Sequence, residues 1–312
     1  MKSNSMIFEG SPERLDVFIT RSETGLSREF VKRLITEGLA RVNGKPRKPS
    51  FLLGPGDSVE IFLPEREGQK KEPAGLDAIL LHEDKALLAV NKPSGLPVHP
   101  NDSNWERRPE TCLLSEPTLV SLLLKARPEL GDGALPRLGL VHRLDRDTSG
   151  IMLIAKTPEA QTALQDQFRE RLVEKTYVGA VGGVPEKKTG SIDAPIGRAS
   201  GFKKIKVWEY GREAQTDFKV RETTAKHALL EVYPRTGRTN QIRIHLEFAG
   251  HPIVGDRLYG GEKAARLLLH SLRIVFTHPS TGAARTLETG LPDDFRSEWE
   301  RIKKEDRRAG GR

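Results

Sequence analysis

The 312-residue chain has a single cysteine, Cys112. That count excludes an internal disulfide framework and a cysteine-built zinc site, and it points to a reducing compartment. No apolar run approaches the roughly 20 residues that cross a bilayer. Met1 to Gly10 carries no apolar block of signal-peptide length. The chain is therefore expected to be soluble and cytoplasmic, with no membrane partner. Its eight histidines are scattered, and none pairs at helical spacing with a carboxylate. No metal site is expected. No repeat of solenoid period is present.

What the chain does have is charge. Lys and Arg number 51 against 43 Asp and Glu, a net of +8. An excess of this sign favours a polyanionic partner, most simply nucleic acid. The apolar fraction of 36% suffices for a packed core. The length suits one large domain or two unequal ones.

Residues 12–64 read as a small unit. Arg14 to Ile19 has helical spacing. Ser27 is placed to cap a second helix over Arg28 to Glu37, with Phe30, Leu34 and Ile35 on one face. A short strand turns at Asn43-Gly44, and Ser58 to Leu63 alternates as another strand. Between Ser27 and Lys48 the local net charge is +5. Such a face is often only a solvated helix. Residues 65–75 are polar, with Gly and Pro, and read as a linker.

From residue 76 to 295 short apolar runs alternate with turns. Two or three helices intervene without strict β-α alternation. This pattern predicts an α+β domain with a largely antiparallel mixed sheet. Thr157 and Pro158 mark a helix start. Gly182-Gly183 lacks the spacing of a phosphate loop and reads as a turn. Residues 187–212 read as an exposed basic hairpin region. Ile242-Arg243-Ile244 alternates and reads as a strand. Residues 296–312 hold seven basic and four acidic side chains and read as a frayed charged tail.

The stretch His142-Arg143-Leu144-Asp145-Arg146-Asp147-Thr148-Ser149-Gly150 runs straight into the apolar Ile151-Met152-Leu153-Ile154-Ala155. A carboxylate at the mouth of a buried strand is a candidate for chemistry. A Ser-His-Asp relay is disfavoured, because contiguous residues rarely converge as a triad must. Asp145 alone is the better candidate. It would need a cation beside it in a desolvated pocket. Arg243, flanked by core residues, is one candidate, although a structural buried ion pair fits the pattern equally well.

The stretch resembles the signature of the RluA-type pseudouridine synthases. Asn91-Lys92-Pro93-Ser94-Gly95, Lys175-Thr176-Tyr177, Gly237-Arg238-Thr239, Gln241 to His245 and Gly250 to Asp256 match that family in the same order. Residues 12–64 are similar to an S4-like RNA-binding domain, a small fold first described in a small-subunit ribosomal protein. The resemblance implies a pseudouridine-synthase-type catalytic domain behind a small α+β RNA-binding domain. It implies an isomerase that detaches uridine from its ribose, turns the base and rejoins it through carbon 5. Asp145 matches the essential aspartate, Tyr177 the tyrosine that packs on the base, and Arg243 the basic partner of the aspartate. Arg143 matches the residue that fills the space left by the flipped nucleotide. Arg28, Lys32, Arg33, Arg41 and Lys45 would meet RNA phosphates. No cofactor or metal is implied. The expected partner is RNA, ribosomal RNA of the large subunit in the first instance, and the expected state is monomeric. A non-catalytic RNA-binding assembly factor on the same scaffold is the alternative. Asn240 departs from the family pattern, where a histidine is frequent, and changed local contacts are expected there.

Overall fold

The structure, a computed structural model, describes residues 2–22, 28–63, 75–100, 103–114, 116–198 and 204–310. The cap expected at Ser27 lies outside these residues, as does all of the expected linker 65–75 except Gly75. The elements begin with β1 (Lys2–Ile7), β2 (Glu13–Arg14), α1 (Leu15–Ser22), α2 (Arg28–Thr36), β3 (Ala40–Val42), β4 (Lys45–Pro46), β5 (Leu52–Leu53) and β6 (Ser58–Leu63). Next come α3 (Leu76–Ile79), β7 (Leu80–Glu83), β8 (Leu87–Lys92), α4 (Leu119–Ala126), β9 (Ser149–Ala155), α5 (Pro158–Arg169) and β10 (Glu174–Gly182). The chain continues through β11 (Thr189–Asp193), β12 (Ile196–Gly197), β13 (Lys206–Val207), β14 (Gln215–Thr223) and β15 (His227–Pro234). It ends with α6 (Gln241–Phe248), β16 (Leu269–Thr277), β17 (Ala284–Glu288) and α7 (Asp293–Gly310).

Two compact units result. The first comprises residues 1–75 together with 99–127, and the second residues 76–98 and 128–312. Segment 99–127, which sequence order places inside the larger domain, thus groups with the first unit. In that unit β1, β6, β3 and β4 form a four-stranded sheet. Leu15, Ile19, Val31, Leu34 and Ile35 from α1 and α2 share one buried cluster with Val42, Val59 and Ile61 from the sheet. Asn43 and Gly44 both take positive φ, as the predicted tight turn demands. In α4, Thr118 and Ser121 cap each other reciprocally.

The second unit is built on nine strands in the order β11-β14-β15-β10-β16-β9-β8-β7, with β17 also on β16. Every pair in it is antiparallel except β16 with β9. This is the mostly antiparallel α+β architecture the sequence predicts. All seven residues of β9 are buried, as its unbroken apolar run requires. Gly150, at φ +118°, sits where a Cβ would fall 2.2 Å from the Ser271 carbonyl oxygen. Only glycine lets β9 approach β16 that closely.

Two sequence expectations are corrected. The residues around Arg243 form helix α6, not a strand. Alternation over three residues satisfies either period. The wider window decides: Gln241, Ile242, Ile244, His245 and Leu246 are all buried, which is a helical spread. Residues 296–312 are not a frayed tail, since all but the last two lie in α7. Phe295, Trp299 and Ile302 recur at helical spacing and pack on Val178, Ala180, Leu229 and Leu268. Asp306 follows one turn later and accepts bonds from His227 Nδ1 (2.9 Å), the Lys226 N–H (3.1 Å) and the Thr224 hydroxyl. Abundant charge on three sides of this helix hides the apolar stripe on the fourth.

Candidate active site

The loop from Val141 to Thr148 is held rigid from both sides. Its first clamp is His142. The Leu153 N–H donates to His142 Nε2 at 2.9 Å, and the ring stacks on Phe168 with centroids 4.6 Å apart. Burial, with help from Lys175, pushes the imidazole pKa down to about 3. The ring is therefore neutral, with its other nitrogen carrying the proton. Ser149 is engaged elsewhere, with His270 Nδ1 and Arg266. The contiguous relay rejected from the sequence is absent here as well.

The second clamp is Lys92, which is fully buried. Its ammonium donates to the carbonyls of Pro93 (3.0 Å), Leu96 (2.9 Å) and Arg146 (2.9 Å). Three acceptors match its three donors, although burial pulls its pKa down to about 7. The Gly95 N–H donates to the same Arg146 carbonyl, and the Ser94 hydroxyl donates to the carbonyl of Asp147. The Asn91-to-Gly95 segment is thus a cradle for the Asp145 turn. Leu144 anchors that turn in the core, while Arg143 stays exposed and Asp145 faces a cleft.

The cleft has a volume of about 520 Å³ and is lined by Asp145, Tyr177 and Arg243 among others. Tyr177 comes from β10, where burial, with Asp145 adding to it, pushes its phenol up to about 12. The ring therefore stays protonated and offers an aromatic face. Arg243 comes from the second residue-pair of α6. Its Nη1 donates to Asp145 Oδ2 at 3.2 Å and to Asn240 Oδ1 at 3.2 Å. Its Nε and Nη2 donate to the two oxygens of Asp256 at 2.7 and 2.9 Å. Burial works against the guanidinium, but the two carboxylates outweigh it and raise its pKa further above the ordinary range. Asp256 itself accepts from the backbone N–H groups of Leu258 and Tyr259, each at 3.0 Å.

Exposure separates the two carboxylates. The Asp256 side chain is 0% exposed and that of Asp145 is 22% exposed. Asp256 can only support Arg243, whereas Asp145 can meet a ligand. Asp256 lies in the Gly250-to-Asp256 motif, and the sequence assigns it no role. Its signal was a carboxylate directly after a glycine, and nothing in the chain names its partner. Asn240 accepts from Arg243 and donates to the Tyr259 hydroxyl at 3.1 Å. Gln241 fixes the adjoining turn by accepting from the Thr236 hydroxyl and the Arg238 N–H.

In the first unit, Arg28 and Arg14 both bind Asp16, whose side chain is wholly buried. Arg28 is therefore partly committed to the fold. Lys32 and Lys45 are exposed. Arg41 is exposed too and lies over the Phe62 ring at 5.3 Å. The Arg33 side chain lies outside the described residues. No group of three or more metal-ligating side chains occurs among the described residues. Among them no helix is long and apolar enough to cross a membrane.

The second unit thus combines a mostly antiparallel sheet with a cleft lined by a carboxylate, a tyrosine and a paired arginine. The sequence pattern of the RNA pseudouridylate synthase family matches residues 86–248, and that of the S4 domain matches residues 13–59. A protein of Aquifex aeolicus (strain VF5), described as an uncharacterized RNA pseudouridine synthase, is 38% identical, covering 93% of each chain. Ribosomal large subunit pseudouridine synthase C of Escherichia coli (strain K12) is 35% identical, covering 91% of each chain. The solved structure of human RNA pseudouridylate synthase domain containing 4 superposes with a TM-score of 0.57 at 28% identity, over 73% of this chain and 94% of that one. The chain belongs to the RNA pseudouridylate synthase family. It is an isomerase acting on RNA, with an S4 domain at its N-terminal end.

Proposed function

We propose that this synthase isomerises uridines of large-subunit ribosomal RNA in the cytoplasm, with Asp145 as the reacting carboxylate. The observation that carries the reading is the cleft itself. Three segments distant in sequence bring Asp145, Tyr177 and Arg243 to one cleft, and Asp145 is the carboxylate in it with access to a ligand. The ribosomal substrate rests on the names of the large-subunit relatives and on the S4 domain.

In the reaction the bond from the ribose C1′ to N1 of uracil breaks and a bond from C1′ to C5 forms. The C5 proton leaves and N1 gains one, so the base is neither oxidised nor reduced. Asp145 acts as nucleophile or base in this exchange. Arg243 orients it, because Asp256 fixes the guanidinium plane. Tyr177 receives the face of the extruded uracil. Arg143, exposed at the cleft edge, fills the gap in the stack, offsetting an extrusion cost on the order of a few kcal/mol. The detached base must not escape, and buried apolar Leu144, Ile242 and Leu269 line the cleft that would retain it.

The test is Asp145→Asn. It should fold and bind RNA as the wild type does and form no pseudouridine on a large-subunit ribosomal RNA transcript. Substantial residual turnover would remove the assignment. Pseudouridine mapping in ribosomal RNA from a deletion strain tests the substrate, and an unchanged map would exclude it.

A further inference from the structure

The cleft contains a cation, Lys175, that has no part in the proposed reaction. Lys175 and Tyr177 are two residues apart on β10, so their side chains leave the same face of the strand. The irregularity in pairing between β10 and β16 adds its extra residue, Leu272, on β16, and the alternation of β10 is unbroken. Both side chains line the cleft. Seven basic residues and one acid, Asp145, line that cleft.

Most of these cations are already occupied. Arg243 binds Asp256 and Asp145, Arg235 binds Asp217, Arg169 binds Asp166 and Glu170, and Arg238 donates to the Glu213 carbonyl. The Lys175 side chain has no hydrogen bond and no ion pair among the described residues. Unlike exposed Arg143 and Arg171, it is half-buried, in a wall shared with Val141, Phe168 and Val173. Loss of water lowers its pKa, and no neighbouring carboxylate opposes that shift. Its charge is felt at His142, which it helps to keep neutral. A desolvated ammonium without a counter-ion costs free energy in the unliganded protein.

We propose that Lys175 is a phosphate subsite of the cleft, taking a phosphodiester oxygen of the RNA strand that carries the target uridine. A uracil carbonyl is the other acceptor in reach of such a cleft. It is neutral and would leave the charge unbalanced, whereas a phosphodiester supplies one full negative charge. The compact ammonium with rotatable donors suits a phosphate oxygen approached from one side. The inference rests on the cleft being the uridine site.

Wild type, Lys175→Gln and Lys175→Arg are compared in three measurements. Binding to an oligouridylate is followed against salt. The slope of log K against log salt should flatten by about 0.7 in Lys175→Gln, the loss of one single-strand phosphate contact, and return in Lys175→Arg. On a large-subunit ribosomal RNA transcript, KM should rise roughly 5- to 10-fold with kcat within about twofold, as expected when a contact made equally in ground and transition states is lost. The free Lys175→Gln protein should melt at a higher temperature than wild type, because a buried unpaired charge has been removed. An unchanged salt slope overturns the proposal, as does a fall in kcat at constant KM, which would mark a contact with the reacting base. A lower melting temperature with an unchanged slope marks a structural lysine and overturns it too. Activity surviving in Asp145→Asn would overturn the site reading instead, and the salt slope of Lys175→Gln would still decide the phosphate contact.

Discussion

Asp256 grips the guanidinium of Arg243 at two points, 2.7 and 2.9 Å away, and so aims its Nη1 at Asp145. The carboxylate proposed to react is thus positioned by a second carboxylate that never meets solvent. The glycine before Asp256 has a reason of its own. Gly255 has φ +83°, and a Cβ there would fall 1.8 Å from the Arg266 carbonyl oxygen. That close approach sets the chain so that Asp256 can turn inward beneath α6.

Asp256→Ala should therefore affect stability and turnover together. It leaves a half-buried guanidinium without its main partner, at a cost of about 3 kcal/mol. Arg243 should then lose its alignment, and kcat should fall roughly 100-fold with a smaller change in RNA affinity. Urea denaturation and single-turnover assays measure the two effects. Full activity in a destabilised variant would show that Asp145 needs no such alignment.

His142 gives the fold a sensitivity to acid. The unfolded ring takes a proton near pH 6.5, while burial keeps the folded ring neutral down to about pH 3. Protons therefore favour the unfolded chain within that window. The contribution is complete above about pH 6.5 and is lost progressively as pH falls toward about 3. His142→Gln, which keeps an acceptor for the Leu153 N–H, should lack this part of the pH dependence. Parallel melting curves for the two proteins would expose the idea as wrong.

Trp299 should matter far more than its charged neighbours on α7. It is buried, and its indole N–H donates to Glu222 at 2.9 Å. Trp299→Ala should cost about 3 to 5 kcal/mol. Arg301→Ala removes exposed ion pairs with Glu298 and Glu305, and it should cost less than about 1 kcal/mol. Thermal unfolding of the two variants checks the contrast. Equal losses would mean that the helix is held by its charges.

The basic residues of the first unit should divide by function. Lys32→Gln and Lys45→Gln should each flatten the salt dependence of RNA binding by nearly one contact and leave stability unchanged. Arg28→Gln should lower stability as well, since Asp16 loses one of its two arginine partners. A pair of lysine variants with wild-type salt slopes would move the RNA contact to other residues.

The amino-acid sequence by itself determined the local elements and the class of the protein. The Asn43-Gly44 turn, the Thr157-Pro158 helix start and the buried run of β9 each follow from short-range sterics and periodicity. The ordered motifs from Asn91 to Asp256 identified the chemistry. The sequence did not determine α6, because three alternating residues fit two periods and only the packing of Gln241, His245 and Leu246 chose between them. It did not determine α7, because apolar contacts with the sheet outweigh the helix's ionic surface. Nor did it disclose the Asp256–Arg243–Asp145 chain or the unpaired Lys175. Partners and the lack of them are properties of distance across the fold, and linear spacing carries no record of either. Only the tertiary structure decided which carboxylate supports the site and which one faces the cleft, because burial takes one from solvent and leaves the other within reach.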